Sequence, residues 1–153
     1  MITLITLKNG KPFSEANAEV TSAASYPEFY SGEAERAYGD AISTANPTNW
    51  CFAIKQPVRV VACLIPWNFP AAIIARKARG AIAVGYTVVV KPDGGTPLTA
   101  LAMAYLAEQY GFLKGVLNII IIMFNLADVR KALCEDPVIR KVSFTGSTLV
   151  GKL

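Results

Sequence analysis

The strongest constraint on this chain is the almost continuously apolar run Val58-Arg59-Val60-Val61-Ala62-Cys63-Leu64-Ile65, closed by Pro66-Trp67-Asn68-Phe69-Pro70. Such a run, without polar alternation, reads as a strand buried on both faces, the kind found inside a parallel sheet covered by helices. An apolar helix over 71–84 follows it, then a strand at 87–90 and a helix at 96–110 opened by Thr96 as N-cap and Pro97 in the first turn. A strand at 116–123, a helix at 126–134 and a strand at 141–145 come next, and Gly146-Ser147-Thr148 begins a further element. Strand and helix alternating at this spacing predict an α/β fold with a doubly wound parallel sheet. Upstream, residues 13–38 read as a helix with Ser14 as N-cap and Pro27 as a kink or interruption. Residues 43–49 form a turn cluster, and 50–55 are a second β-rich run, separated from Val58 by Gln56-Pro57.

The 153 residues suffice for one ordinary domain with a real core. Mean hydropathy is +0.38, high for a free-standing soluble domain, so burial partners outside the chain are expected. The apolar stretch 116–124 is too short to cross a bilayer, and no membrane association is expected. Nothing reads as a secretory or organelle leader. The absence of histidine excludes Ser-His-Asp and Cys-His catalysis, and His-based metal sites, within the chain. Three widely spaced cysteines, Cys51, Cys63 and Cys134, fit neither a disulfide framework nor zinc spacing and are expected as buried, reduced thiols. Residues 1–50 carry a net −3 and residues 51–153 a net +7. The basic part suits a polyanionic ligand. It lacks the interleaved aromatics of a nucleic-acid face, so a small phosphorylated cofactor is expected and nucleic acid is not.

In doubly wound sheets, ligands sit at the carboxyl ends of the strands. Ile65 runs into Pro66-Trp67-Asn68-Phe69-Pro70, Val90 into Lys91-Pro92, and Phe144 into Thr145-Gly146-Ser147-Thr148. If those strands are neighbours, the three ends share one rim. Gly146, Ser147 and Thr148 have the chemistry of a pyrophosphate cradle and, equally, of an ordinary capped turn. Lys91 is fit to hold a ribose or a phosphate, or to end as a solvated charge. Asn68, between two prolines, can aim an amide at an oxyanion or serve as a turn asparagine. There is no G-x-G-x-x-G.

Five segments in fixed order resemble the aldehyde dehydrogenase superfamily: Leu7-Lys8-Asn9-Gly10-Lys11-Pro12, Tyr38-Gly39-Asp40, Pro66-Trp67-Asn68-Phe69-Pro70, Thr87-Val88-Val89-Val90-Lys91-Pro92 and Ser143-Phe144-Thr145-Gly146-Ser147-Thr148. Within it, residues 33–40, Lys55-Gln56-Pro57-Val58 and Ala75-Arg76-Lys77 are most similar to the succinate-semialdehyde dehydrogenases. The resemblance implies that residues 1–153 are part of a Rossmann-like NAD(P)-binding domain. It implies NAD or NADP as cofactor and an aldehyde as substrate, in a mitochondrial or cytoplasmic enzyme able to form homo-oligomers or to pair with a full-length relative. It places Asn68 in the oxyanion hole and Pro66, Trp67, Lys91, Pro92, Asp93, Gly94, Gly146, Ser147, Thr148 and Gly151 around the cofactor. Arg76 would meet the substrate carboxylate, for which a guanidinium fork is suited.

The departures from the family pattern are specific. Gly94 stands where the family has an acid three places after the ribose lysine, with Asp93 one place early. Arg59, Ala62 and Arg79 stand where the family usually has glycine, at an expected cost of about a kcal/mol or more for an Arg in a close-packed position. The family's catalytic cysteine and general-base glutamate are expected beyond Leu153. The chain is therefore expected to be an internal fragment of the enzyme, without turnover alone. A non-catalytic nucleotide- or partner-binding remnant, or a dehydrogenase of another aldehyde class, are the alternatives.

Overall fold

Both faces of residues 61–65 are covered, while Val58 and Arg59 at the start of the expected strand are exposed and lie outside the strand that forms. The computed structural model describes residues 1–152. In chain order it contains α1 (Ile2–Asn9), α2 (Phe13–Ala34), β1 (Asp40–Ile42), β2 (Cys51–Ala53), β3 (Val60–Leu64) and α3 (Pro70–Ala83). Then come β4 (Thr87–Lys91), α4 (Pro97–Gln109), β5 (Leu117–Ile119), α5 (Leu126–Glu135), β6 (Ile139–Phe144) and α6 (Thr148–Gly151). Four strands make a parallel sheet in the order β5-β4-β3-β6, with β3 inside it. This is part of the doubly wound, Rossmann-like sheet that the alternation predicts.

Side chains alternate across β3 as a strand's period of two requires. Val61 and Cys63 enter a large cluster with Val88 and Val90 of β4, Ala71, Ile74, Ala75 and Ala78 of α3, and Ala100 and Met103 of α4. Ile5 of α1 and Ala16 of α2 join the same cluster, so the first two helices lie over this face as an outer layer. Ala62 and Leu64 point the other way into a small cluster with Leu133 of α5. Full burial of a Val or Ile side chain is worth about 1.5–3 kcal/mol. Val88, Val90 and Ile74, all with under 2% exposure, are therefore prominent stabilisers of the thick side.

Several boundaries differ from the sequence expectation. Helix α1 and strand β1 were not foreseen. Helix α2 begins one residue before Ser14, because the extended backbone of Pro12 (φ −53°, ψ 145°) serves as N-cap and its carbonyl accepts the Ala16 N–H at 2.9 Å. It continues through Pro27 to Ala34 rather than breaking there or reaching residue 38. Thr96 and Pro97 do open α4, but the Thr96 hydroxyl makes no capping bond. The strand expected over 116–123 contracts to Leu117–Ile119, because β5 is an edge strand paired only with the short β4. Strands β1 and β2 form a separate antiparallel hairpin whose six residues are all exposed, with the rings of Trp50 and Phe52 stacked 6.2 Å apart.

The three replaced glycines fare differently. Ala62 is fully buried and fits. Arg79 lays its guanidinium 5.0 Å from the centre of the Phe112 ring, and burial lowers its pKa. Arg59 bears the strain: its φ is +85°, the left-handed region, and its carbonyl is held there by the Thr87 N–H at 2.9 Å. A non-glycine residue in that region costs about 1–2 kcal/mol. Because Arg59 is exposed, little packing is lost with its side chain. Arg59→Gly is expected to raise unfolding free energy by about 1 kcal/mol after the entropy glycine adds to the unfolded chain, measured as an upward shift of the urea midpoint at constant m-value.

Candidate functional site

The sheet register puts three loops side by side. Leu64, the last residue of β3, pairs with Lys91 on one side and Phe144 on the other. The ladder runs one step further into the loops, with Ile65 N–H donating to the Lys91 carbonyl at 3.0 Å and Thr145 N–H to the Leu64 carbonyl at 3.2 Å. The segments starting at Pro66, Pro92 and Thr145 thus leave one rim, as the sequence reading required.

Lys91 is no solvated strand end. Only 8% of it is exposed, and Pro92 beside it is fully buried. Desolvation pulls the Lys91 pKa below its usual 10.5; Asp93 opposes that shift and Arg130 adds to it. A buried ammonium gains by meeting an anion or a polyhydroxyl group. Asp93 is partly committed elsewhere, because its Oδ1 accepts the Gly95 N–H at 2.9 Å and closes its own turn. At Gly94 a Cβ would lie 3.2 Å from the Ile122 carbonyl oxygen and 3.4 Å from Met123 Sδ. An acid at that position would press on the chain leaving β5.

Trp67, Asn68 and Phe69 are exposed, yet their loop is tied down from the α1–α2 segment. Asn9 Nδ2 donates to the Trp67 carbonyl at 2.8 Å, and Lys11 Nζ to the Asn68 carbonyl at 2.7 Å. The Lys11 ammonium also lies 3.9 Å above the Phe69 ring. Glu19 pairs with Lys11 at 2.5 Å through Oε2, while its Oε1 accepts the N–H groups of Ala71 (2.8 Å) and Ala72 (3.3 Å). Those N–H groups belong to the first turn of α3, whose N-cap Phe69 supplies no side-chain bond. A carboxylate at a helix N-terminus meets both the free donors and the positive end of the dipole.

On the third loop Ser147 is the N-cap of α6, its Oγ accepting the Val150 N–H at 3.3 Å, and Thr148 begins that helix. A Cβ on Gly146 would overlap the Phe144 ring, and one on Gly151 would come within 3.1 Å of it. Packing against Phe144 is thus sufficient reason for Gly146. A cavity of about 530 Å³ opens between Leu64, Phe144 and Gly151 on one side and Arg130 and Lys131 of α5 on the other. These two cations were missed in the sequence because only their placement on α5 turns them toward the rim. Asn9, Lys11 and Glu19 were also missed, although the segment 7–12 had been marked as a motif without a role.

Arg76 lies one helical turn and more into α3, exposed, with Nε donating to the Tyr26 hydroxyl at 2.8 Å. It lines a cavity of about 560 Å³ together with Lys77, Lys141, Ser143 and Thr145. Lys77 Nζ donates to Ser143 Oγ at 2.7 Å, and burial lowers its pKa. Cys63 behind them is pushed up to about 11 by burial, against the pull of Lys77 and Lys141. At neutral pH only on the order of one in ten thousand such thiols is ionised, so Cys63 is inert. Cys51 and Cys134 are exposed, contrary to the expectation of three buried thiols: Cys51 lies on the uncovered β1–β2 hairpin, and Cys134 on α5 lines the open cavity beside Phe144.

A parallel sheet with this order, flanked by these helices, has the α/β architecture of a Rossmann-like domain, and the chain belongs to the aldehyde dehydrogenase family, whose model matches residues 1–153. It is 56% identical over its whole length to the succinate-semialdehyde dehydrogenase [NADP(+)] of Saccharomyces cerevisiae, covering 31% of that protein. It is 47% identical over 151 residues to the mitochondrial succinate-semialdehyde dehydrogenase of Homo sapiens, covering 28% of it. The crystal structure of succinate-semialdehyde dehydrogenase from Burkholderia pseudomallei superposes with a TM-score of 0.93 at 42% identity, over 99% of this chain and 31% of that one. The chain therefore spans about 30% of the length of the curated relatives it matches.

With iodoacetamide at pH 8, Cys51 and Cys134 are expected to alkylate in the native state and Cys63 only after unfolding, as read by peptide mass spectrometry.

Proposed function

We propose that this chain forms part of the dinucleotide-binding domain of an NAD(P)-dependent dehydrogenase that oxidises succinic semialdehyde. The observation that carries the reading is the convergence of the Asn68, Lys91 and Gly146 loops on one rim. The residues that fit a dinucleotide are the buried cation Lys91 and, beside the adjoining cavity that Asp128 and Glu135 also line, Arg130 and Lys131; Gly94 lacks the acid that the family carries there. Lys91 would hold the adenosine ribose, with Pro92, Asp93 and Gly94 shaping the turn beside it. Gly146, Ser147, Thr148 and Gly151 would face the pyrophosphate with backbone groups, while Pro66 and Trp67 border the reacting end. When bound, the nicotinamide accepts a hydride from the substrate.

Asn68 would donate its side-chain amide to the oxyanion that develops on the aldehyde oxygen, a contribution worth about 10²–10³ in kcat at comparable sites. Arg76, with Lys77 and Lys141 in the same cavity, would attract the substrate's carboxylate. The nucleophilic cysteine and general-base glutamate of the family are assigned to sequence outside these residues, so turnover belongs to the complete polypeptide. The exposed β1–β2 hairpin is the surface we assign to a second copy or a full-length relative.

Lys91→Met is expected to weaken dinucleotide binding at least tenfold in a fluorescence titration that follows the tryptophans. An affinity change under twofold rejects the role of Lys91. The wild-type affinity should hold at neutral pH and fall as pH rises through the Lys91 pKa. Burial has lowered that pKa, so the loss begins below 10.5, and the Met variant should lack this alkaline limb. Arg76→Ala should raise KM for succinic semialdehyde tenfold or more while leaving KM for butanal within twofold. Equal rises for both aldehydes would remove Arg76 from substrate recognition.

A further inference from the structure

The motif Asn9-Gly10-Lys11-Pro12 has no part in the assignments above, yet it makes the closest contacts to the loop that carries Asn68. We infer that Lys11, backed by Glu19 and joined by Asn9, is a positioning residue that fixes the direction of the Asn68 side chain. This rests on the reading of Asn68 as the oxyanion donor.

Each peptide unit is planar, so fixing a carbonyl oxygen restricts the whole plane it belongs to. Asn9 Nδ2 holds the Trp67 carbonyl at 2.8 Å, on the peptide entering Asn68, and Lys11 Nζ holds the Asn68 carbonyl at 2.7 Å, on the peptide leaving it. With both planes held, the backbone angles at Asn68 and the direction of its Cα–Cβ bond are set. The same lysine sits over the ring of Phe69, and Glu19 grips the two residues after Pro70 through their N–H groups. Trp67, Asn68, Phe69, Ala71 and Ala72 are therefore all contacted from one short segment of the chain, residues 9–19.

Lys11 is also the wrong residue for a merely solvated charge. Its side chain is 8% exposed and that of Glu19 is fully buried, 2.5 Å away. An ammonium has three donors and no acceptor. Here two are spent on Glu19 and the Asn68 carbonyl, and the ammonium's charge lies against the Phe69 ring face. Methionine at position 11 keeps the stem and loses both bonds, releasing one of the two peptide planes. A displacement of about 1 Å at a catalytic donor costs up to about a hundredfold in rate.

The test is a double-mutant cycle in the complete polypeptide that carries this segment. Lys11→Met, Asn68→Ala and the double variant are compared for kcat, KM, dinucleotide Kd and melting temperature. The expected result is a ten- to hundredfold lower kcat for Lys11→Met, with KM and Kd within threefold, and no further loss when Lys11→Met is added to Asn68→Ala. Lys11→Arg, which keeps the charge and the donors, should recover part of the loss. An unchanged kcat in Lys11→Met, or the same proportional loss in both backgrounds, overturns the inference and leaves the Asn68 reading standing. If Asn68→Ala itself leaves kcat unchanged, the oxyanion reading fails and this inference with it. Because Lys11→Met strands the buried Glu19, Asn9→Ala is run through the same cycle. It strands no charge, should lower kcat severalfold with little change in melting temperature, and overturns the inference if it does not.

Discussion

Everything at the rim depends on β3 having no face left for water. A strand buried on both sides must have neighbours on both edges and helices on both faces, because unpaired backbone groups and bare apolar surface are each costly in that position. Strands β4 and β6 supply the edges, so the chain segments that follow Leu64, Lys91 and Phe144 emerge side by side. The functional geometry is thus a by-product of covering one apolar pentapeptide. Helices α3 and α4 cover one face, and α5 alone covers the other, more thinly.

Above that foundation the structure uses one buried carboxylate twice. Glu19 replaces the side-chain cap that α3 lacks and at the same time neutralises Lys11. Breaking a buried ion pair by removing one partner typically costs about 3–5 kcal/mol, because the other charge is left stranded. Helix α2 is therefore docked on α3 by charge as well as by apolar packing, and the loop between β3 and α3 inherits its shape from that docking. The same economy does not extend to Arg59, where a side chain occupies a backbone conformation better suited to glycine.

Much of this was legible in the sequence, for definable reasons. The period of the apolar residues fixed the alternation of β3, α3, β4, α4, β6 and α5, and the parallel topology followed from their spacing. The shared rim was legible because strand ends in such sheets are where loops collect. Ranges failed where local signals compete with tertiary ones: Ser14 was a better cap by residue type than Pro12, yet Pro12 has the pre-set backbone, and Pro27 reads as a helix breaker until packing on α3 holds the helix through it. Edge strands such as β5 were overestimated because apolarity persists in Ile121 and Ile122 after the Ile120 N–H has made the last bond to β4. Asn9, Lys11 and Glu19 were opaque as functional residues because their partners in the 67–72 segment lie more than fifty positions away, and no periodicity encodes that distance. The cysteines misled because burial of the residue type is a tendency, and two of the three sit on thinly covered elements.

The order of strands in the sheet carries a kinetic consequence. Strand β3 finds β4 after one intervening helix, but its other edge waits for β6, which comes from the last tenth of the chain. Closing that loop requires long-range pairing, which is slow compared with local helix and neighbouring-strand formation. Strands β3, β4 and β5 with α3 and α4 can therefore assemble as a nucleus before β6 docks. During synthesis one edge of β3 stays unpaired until β6 has left the ribosome, and in that interval β3 is open to pairing with the wrong partner.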